Sequence, residues 1–128
     1  MDRRFVSSDK VASGGTMYSP AVRAGNTVYV SGQVAFDKED RVVGKGDIEA
    51  QARQVFENMK AVLEAAGGTL DDVVRINVYL TDVLNRPGFH RVRERYFKPD
   101  RLPASTLVIV KGLIHPDLLV EVEAVAVI

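Results

Sequence analysis

The chain has 128 residues, the length of one domain spanning 1–128, and its 46% hydrophobic and 27% charged residues suit a chain that folds around a core. At this size roughly two thirds of the unfolded surface can be buried, so no metal or disulfide staple is required. The 17 basic and 17 acidic residues cancel, which argues against nucleic-acid binding and a polybasic membrane anchor, and Cys 0 excludes thiol catalysis and disulfides.

No apolar run reaches the roughly 18 residues of a membrane helix. Met1 to Ser8 lacks an apolar leader core, so a cytoplasmic protein is expected. Weak self-repulsion at zero net charge is compatible with oligomers.

Ser13-Gly14-Gly15-Thr16 reads as a flexible loop. Gly25-Asn26 is a turn signal that joins Ala21-Val22-Arg23 to a strand over Thr27–Ser31 as a hairpin. The polar stretch from Asp37 to Lys45 is a loop. The clearest element runs from Asp47 to Ala66, where Ile48, Ala52, Val55, Phe56, Met59, Val62, Leu63 and Ala66 recur at helical spacing. Asp47 caps its start and Gly67-Gly68 ends it.

Thr69 to Asp72 resembles a capped turn. A strand from Val73 to Thr81 follows, with Val74, Ile76, Val78 and Leu80 on one face and Arg75, Asn77 and Tyr79 on the other. A second helix is expected from Arg86 or Pro87 to Phe97, with Phe89, Val92 and Tyr96 inward. Strands over Ser105–Lys111 and Leu118–Ile128 complete the order β-β-α-β-α-β-β. Two helices against one sheet make an α+β sandwich. The sheet's other face carries Arg75, Asn77, Tyr79, Glu121 and Glu123 mixed with Val125 and Val127. Such a face is either solvated or a subunit interface.

Phosphate loops, dinucleotide fingerprints and nucleophile elbows are absent. His90 and His115 are the only histidines and lack zinc-ligand spacing, so no metal is expected and a surface or packing role is the default for both. Glu121 and Glu123 share a strand face; the plain role is solvated or ion-paired, and the sharper one is activation of water. Ser31-Gly32-Gln33 ends a strand where glycine permits close approach of a ligand to the backbone. Tyr18 is either a lid aromatic or a packed ring.

Four blocks, taken together, resemble the reactive intermediate deaminase family, also called RidA/YjgF. They are Tyr18 to Gln33 (Y-S-P-A-V-R-A-G-N-T-V-Y-V-S-G-Q); the helix with Gln51, Val55, Asn58, Leu63 and Ala66-Gly67, followed by Leu70 to Val74; Val78-Tyr79-Leu80-Thr81-Asp82; and Leu119 to Ala126. They cover nearly the whole chain in the family's order. The resemblance implies a chorismate-mutase-like α+β fold with a mixed sheet, and a homotrimer with clefts between subunits. It also implies cofactor-free hydrolysis of reactive enamines or imines to a 2-keto acid and ammonia. Family names such as endoribonuclease and translation inhibitor gain no support from the neutral charge and the lack of a basic aromatic patch.

Carried over residue by residue, the resemblance makes Glu121, Thr106 and His90 the catalytic candidates. Tyr18, Ser31, Gly32, Ala104, Ser105 and Arg101 are the substrate-binding candidates. The family's carboxylate-gripping arginine, in a P-A-R-[ST]-[ST] segment, falls on Ala104 when Ser105-Thr106 are aligned with the Ser/Thr pair. Alanine offers no bidentate fork. Arg101 reaches the cleft only if its loop folds inward. The family's asparagine on the second helix falls on His90, whose ordinary pKa near neutrality suits acid–base work. The Lys111–Asp117 loop is longer than in common deaminase members. Three roles remain: a hydrolase for a small metabolite diverged from simple 2-imino acids, a non-catalytic metabolite-binding or sensing trimer, and a structural trimer. None needs a nucleic-acid or membrane partner.

Overall fold

The computed structural model describes residues 2–15 and 17–128. Six strands and two helices form an α+β structure: β1 (Arg3–Val6), β2 (Ala21–Ala24), β3 (Thr27–Val34), α1 (Ile48–Ala65), β4 (Val73–Leu80), α2 (Arg86–Arg93), β5 (Ala104–Ile109) and β6 (Val120–Val127). The sheet order is β1-β2-β3-β6-β4-β5. Only β4 and β5 run parallel; the sheet is mixed, as expected.

Each main element forms for the reason its sequence states. Asp47 accepts from Ala50 N at 3.1 Å and starts α1, while Gly67, at φ 93°, lets the chain turn away at its end. The helix's apolar stripe buries Ala52, Val55, Phe56, Met59, Val62 and Leu63 against Val28, Val30, Ile76, Val78, Val122 and Ala124 of the sheet. Thr69 and Asp72 form a reciprocal capping box around the short turn Leu70–Asp72. Arg4 and Arg23 donate to the Ala65 and Ala66 carbonyls at 2.6 and 2.8 Å, placing cations at the negative end of α1.

Four sequence expectations shift. The strand β1 has no apolar alternation, because Arg3, Arg4 and Phe5 are exposed and only Val6 is buried; its pairing with β2 makes it a strand. Val74 does not join the inward face of β4. A register shift between Val73 and Arg75 buries Val73 and leaves Val74 exposed. Helix α2 ends at Arg93, where Arg95 N and Tyr96 N bond three residues back. That tightening stacks Tyr96 on Phe56 at 5.1 Å and sets Phe97 edge-on to it at 5.7 Å. Leu118 and Leu119 precede β6, because Leu119 N donates to Gln51 Oε1 at 2.8 Å. The expected 13–16 loop contains Gly14 and Gly15 at positive φ; Thr16 lies outside the described residues. No helix among the described residues is long and apolar enough to cross a membrane.

Candidate functional site

The sequence candidates fall into separate groups on one chain. Tyr18, Ser31, Gly32 and Glu121 gather where β3 meets β6. Pairing passes from Val30–Ala124 to Gln33–Val122, so β3 carries one extra residue at Ser31-Gly32. This bulge re-aims the strand next to Glu123 and Glu121. Ser31 is anchored there: its Oγ donates to Ser19 O at 2.6 Å and its N donates to Pro20 O at 2.9 Å. The Glu121 carboxylate lies against Gly32, and any Cβ there would collide with Glu121 Oε2.

A cavity of about 390 Å³ opens beside this bulge, lined by Tyr18, Gly32, Gln33, Asn58, Asp40 and Ile114 among others. Tyr18 is 56% exposed at its rim, and its ring packs over Gly14, where a Cβ would stand 2.9 Å from Tyr18 Cε2. Burial, reinforced by the neighbouring Glu123 charge, pushes the Glu121 carboxyl above its ordinary value. Glu123 is held differently: it accepts from Asn77 Nδ2 and Tyr79 Oη, both at 3.0 Å. The bond to Glu123, then burial, raises the Tyr79 hydroxyl pKa.

The remaining candidates lie on β5 and α2. Ala104 and Thr106 face the same way as Arg75, whose Nη2 donates to Thr106 Oγ1 at 3.1 Å. Ser105 turns to the opposite face, where Arg86, His90, Arg93, Ser105 and Leu107 line a second cavity of about 390 Å³. His90 is half-buried; burial, then the charges of Arg93 and Arg86, lower its pKa. Arg101 is exposed in the 98–103 loop, where its N donates to Lys98 O at 2.9 Å.

The separation is set by register. Glu121 pairs with Tyr79, and Tyr79 pairs with Val108, two residues beyond Thr106. Two strand spacings and two residues of rise put Glu121 and Thr106 about 12 Å apart, and His90 lies on the sheet's other face. No small ligand spans these groups on a single chain.

Residues that sequence reasoning did not assign to the cavity include Asn58, Gln33, Asp40 and Ile114. Asn58 is 5% exposed and donates to Val34 O at 3.1 Å and Phe36 O at 2.9 Å, fixing the cavity wall to α1. Gln51, fully buried, donates to Gly44 O and Asp117 O and accepts from Leu119 N. Their signal was available: both are amides within the apolar stripe of α1, spaced seven residues apart. Asp40, at φ 61°, occupies a tight turn built on Asp37, whose Oδ1 accepts from Glu39 N and Arg41 N.

Comparison with known proteins gives a consistent result. The family model described as Endoribonuclease L-PSP matches residues 10–128. A RutC family protein of Pyrococcus horikoshii is 43% identical over 109 residues, covering 85% of each chain. The 3-aminoacrylate deaminase RutC of Acinetobacter baylyi is also 43% identical over 109 residues, again 85% of each. The crystal structure of RidA from an Antarctic Psychrobacter superposes with a TM-score of 0.89 at 40% identity, covering 98% of this chain and 99% of that one. The chorismate-mutase-like fold expected from the resemblance is therefore the fold observed, and the chain belongs to the RidA/YjgF family, whose model bears the description Endoribonuclease L-PSP.

Proposed function

We propose that this chain hydrolyses the imine or enamine form of a small metabolite, in clefts completed between the subunits of a homotrimer. The observation that carries this reading is the Glu121 carboxylate seated over the bulged Ser31-Gly32 backbone beside an open cavity. A carboxylate with a raised pKa can take a proton from water as the water attacks the C=N carbon. The same proton then goes to nitrogen, giving a carbinolamine; the carboxylate next takes the hydroxyl proton and passes it to the amine as the C–N bond breaks, so a ketone and ammonia leave. No cofactor enters this balance. Gly32 meets the substrate through its backbone, Ser31 anchors the bulge that presents it, Tyr18 closes the cavity, and Thr106 and His90 approach from a second subunit. A relative named as a 3-aminoacrylate deaminase supports the reaction class.

The polar face supports the assembly. Tyr29 is 52% and Val127 48% exposed there, beside the Asn77–Glu123–Tyr79 hydrogen bonds, a mixture suited to a subunit interface. Ala104 in place of an arginine points to a substrate diverged from simple 2-imino acids, and it also favours a second reading, a trimer that binds a metabolite without turning it over.

The deciding experiment measures ammonia release from freshly generated 2-iminopropanoate and 2-iminobutanoate by wild type, Glu121→Gln and Ala104→Arg. Turnover lost in Glu121→Gln supports hydrolysis. Turnover unchanged in Glu121→Gln overturns the assigned role. Activity that appears only in Ala104→Arg supports the diverged substrate. Ligand-induced stabilisation without turnover of any imine supports the binding reading.

A further inference from the structure

Helix α2 carries a basic stripe whose two arginines have no task in the proposed reaction. Arg86, His90 and Arg93 are spaced four and three residues apart, which sets them on one helical face. The opposite face is committed to the core through Phe89 and Val92, and Arg91 is committed to Glu49 at 3.3 Å. The stripe overlooks Ser105 and Leu107 of β5 and encloses a cavity of about 390 Å³ that no acidic residue lines. Among the described residues neither Arg86 nor Arg93 has a carboxylate within ion-pair distance. Arg93 is half-buried, so its guanidinium is partly desolvated without an internal counter-charge. Two cations converging on a cavity, with a hydroxyl across from them, form a ready seat for an anion.

The location adds a second argument. Strand β5 is one of the two edges of the sheet, so this cavity lies where another copy of the chain can approach. The position that would carry a carboxylate-binding arginine on β5 is Ala104, which faces away from the cavity.

We propose that Arg86 and Arg93, with Ser105 opposite, bind the carboxylate of the substrate from helix α2, in place of an arginine on β5. His90 stands on the same helical face between Arg86 and Arg93 in sequence; burial, then the charges of Arg93 and Arg86, lower its pKa against the opposing charge of Glu94. It adds a hydrogen-bonding ring to the seat and no third charge. The proposal rests on the imine-hydrolase reading, because Glu121 and Gly32 of another copy complete the site. It assigns a substrate that keeps a carboxylate, gripped from a different side.

The test is calorimetric binding of 2-oxobutanoate, a small keto acid that carries the carboxylate the seat would grip, with butan-2-one as the uncharged control. Wild type binds the acid and not the ketone. Arg86→Gln and Arg93→Gln each weaken acid binding about tenfold or more, the loss expected for a charged hydrogen bond. Arg53→Gln, the same charge change on the exposed face of α1, leaves it unchanged. Thermal melts confirm folding, and Arg93→Lys, which keeps the charge but not the fork, falls between wild type and Arg93→Gln. Equal binding of acid and ketone, no binding of the acid, or unchanged affinity in both glutamine variants overturns the seat. Glu121→Gln separates the two readings: it lowers turnover and leaves the preference for acid over ketone in place, because Arg86 and Arg93 are retained. If wild type binds the acid through these arginines yet releases no ammonia from any imine, the seat stands and hydrolysis falls.

Discussion

The Glu121 side chain fills the space that any side chain at Gly32 would need. A Cβ on Gly32 would collide with Glu121 Oε2 and stand 2.9 Å from its Cδ. The β3 bulge brings this about: one extra residue at Ser31-Gly32 moves the backbone under a carboxylate that projects from the neighbouring strand β6. Because the colliding atoms end a rotatable side chain, the pair is separable without unfolding the sheet.

Gly32→Ala is therefore expected to cost little stability, within about 1 kcal/mol, while turning the Glu121 carboxylate away from its seat. Turnover should fall about 100-fold, the lower range for removing a positioned acid–base group. Paired urea melts and ammonia-release rates check this. A large stability loss with normal rates per folded molecule would contradict the relationship.

Glu121 also predicts a pH trend. Its pKa is raised from 4.5, first by burial and then by Glu123. Below the ordinary value the carboxyl is protonated in both folded and unfolded chains, and its contribution is complete. As pH rises through the raised folded value, the native state must ionise a buried group and the contribution is lost. Glu121→Gln has no such ionisation. The stability of wild type relative to Glu121→Gln should thus decline from acid to neutral pH, measured by urea titration at one fixed protein concentration. A flat difference would show that Glu121 ionises as freely when folded as when unfolded.

Asn58 is expected to matter more than its size suggests. Asn58→Ala removes the donors to Val34 O and Phe36 O; Val34 O keeps its bond from Phe36 N at 2.8 Å, while Phe36 O loses its side-chain donor at the cavity wall. The expected loss is about 3 kcal/mol, against less than about 1 kcal/mol for Gln54→Ala, whose amide bonds only to Asn58. Chemical denaturation of the two variants decides it; equal losses would mean that Asn58 acts only by filling space.

Tyr96 should be the last tyrosine to ionise. Burial, then its bond to Glu57, pushes its pKa up to about 12. An alkaline titration of tyrosinate absorbance should show a delayed step that Tyr96→Phe removes. The linkage follows: stability is complete below the unfolded value near 10 and is lost as pH rises through about 12. Absence of a delayed step would contradict the burial of the Tyr96 hydroxyl beside Glu57.

Much of the fold was legible because burial on one face leaves a periodic trace. The 3.6-residue stripe from Ile48 to Leu63 and the alternation of Val120, Val122, Ala124 and Ala126 are direct records of one buried side. The turn at Gly25 and the capping box at Thr69–Asp72 are short-range chemistry, complete within a few residues. Strand β1 left no trace because its partner is β2 and its side chains face water. The exposure of Val74 depends on a register shift against β6, a contact about 50 residues away in the chain, so alternation within β4 alone could not reveal it. Candidate residues such as Ser31, Gly32 and Glu121 were recognisable as residue types. Their meeting was decided by the pairing of β3 with β6, and the placing of Ser105 beside His90 on the other face was decided by the register of β5 against β4 and the packing of α2 over it. Periodicity records which side of an element is buried; register and strand order, set by contacts between distant segments, decide which side chains face one another.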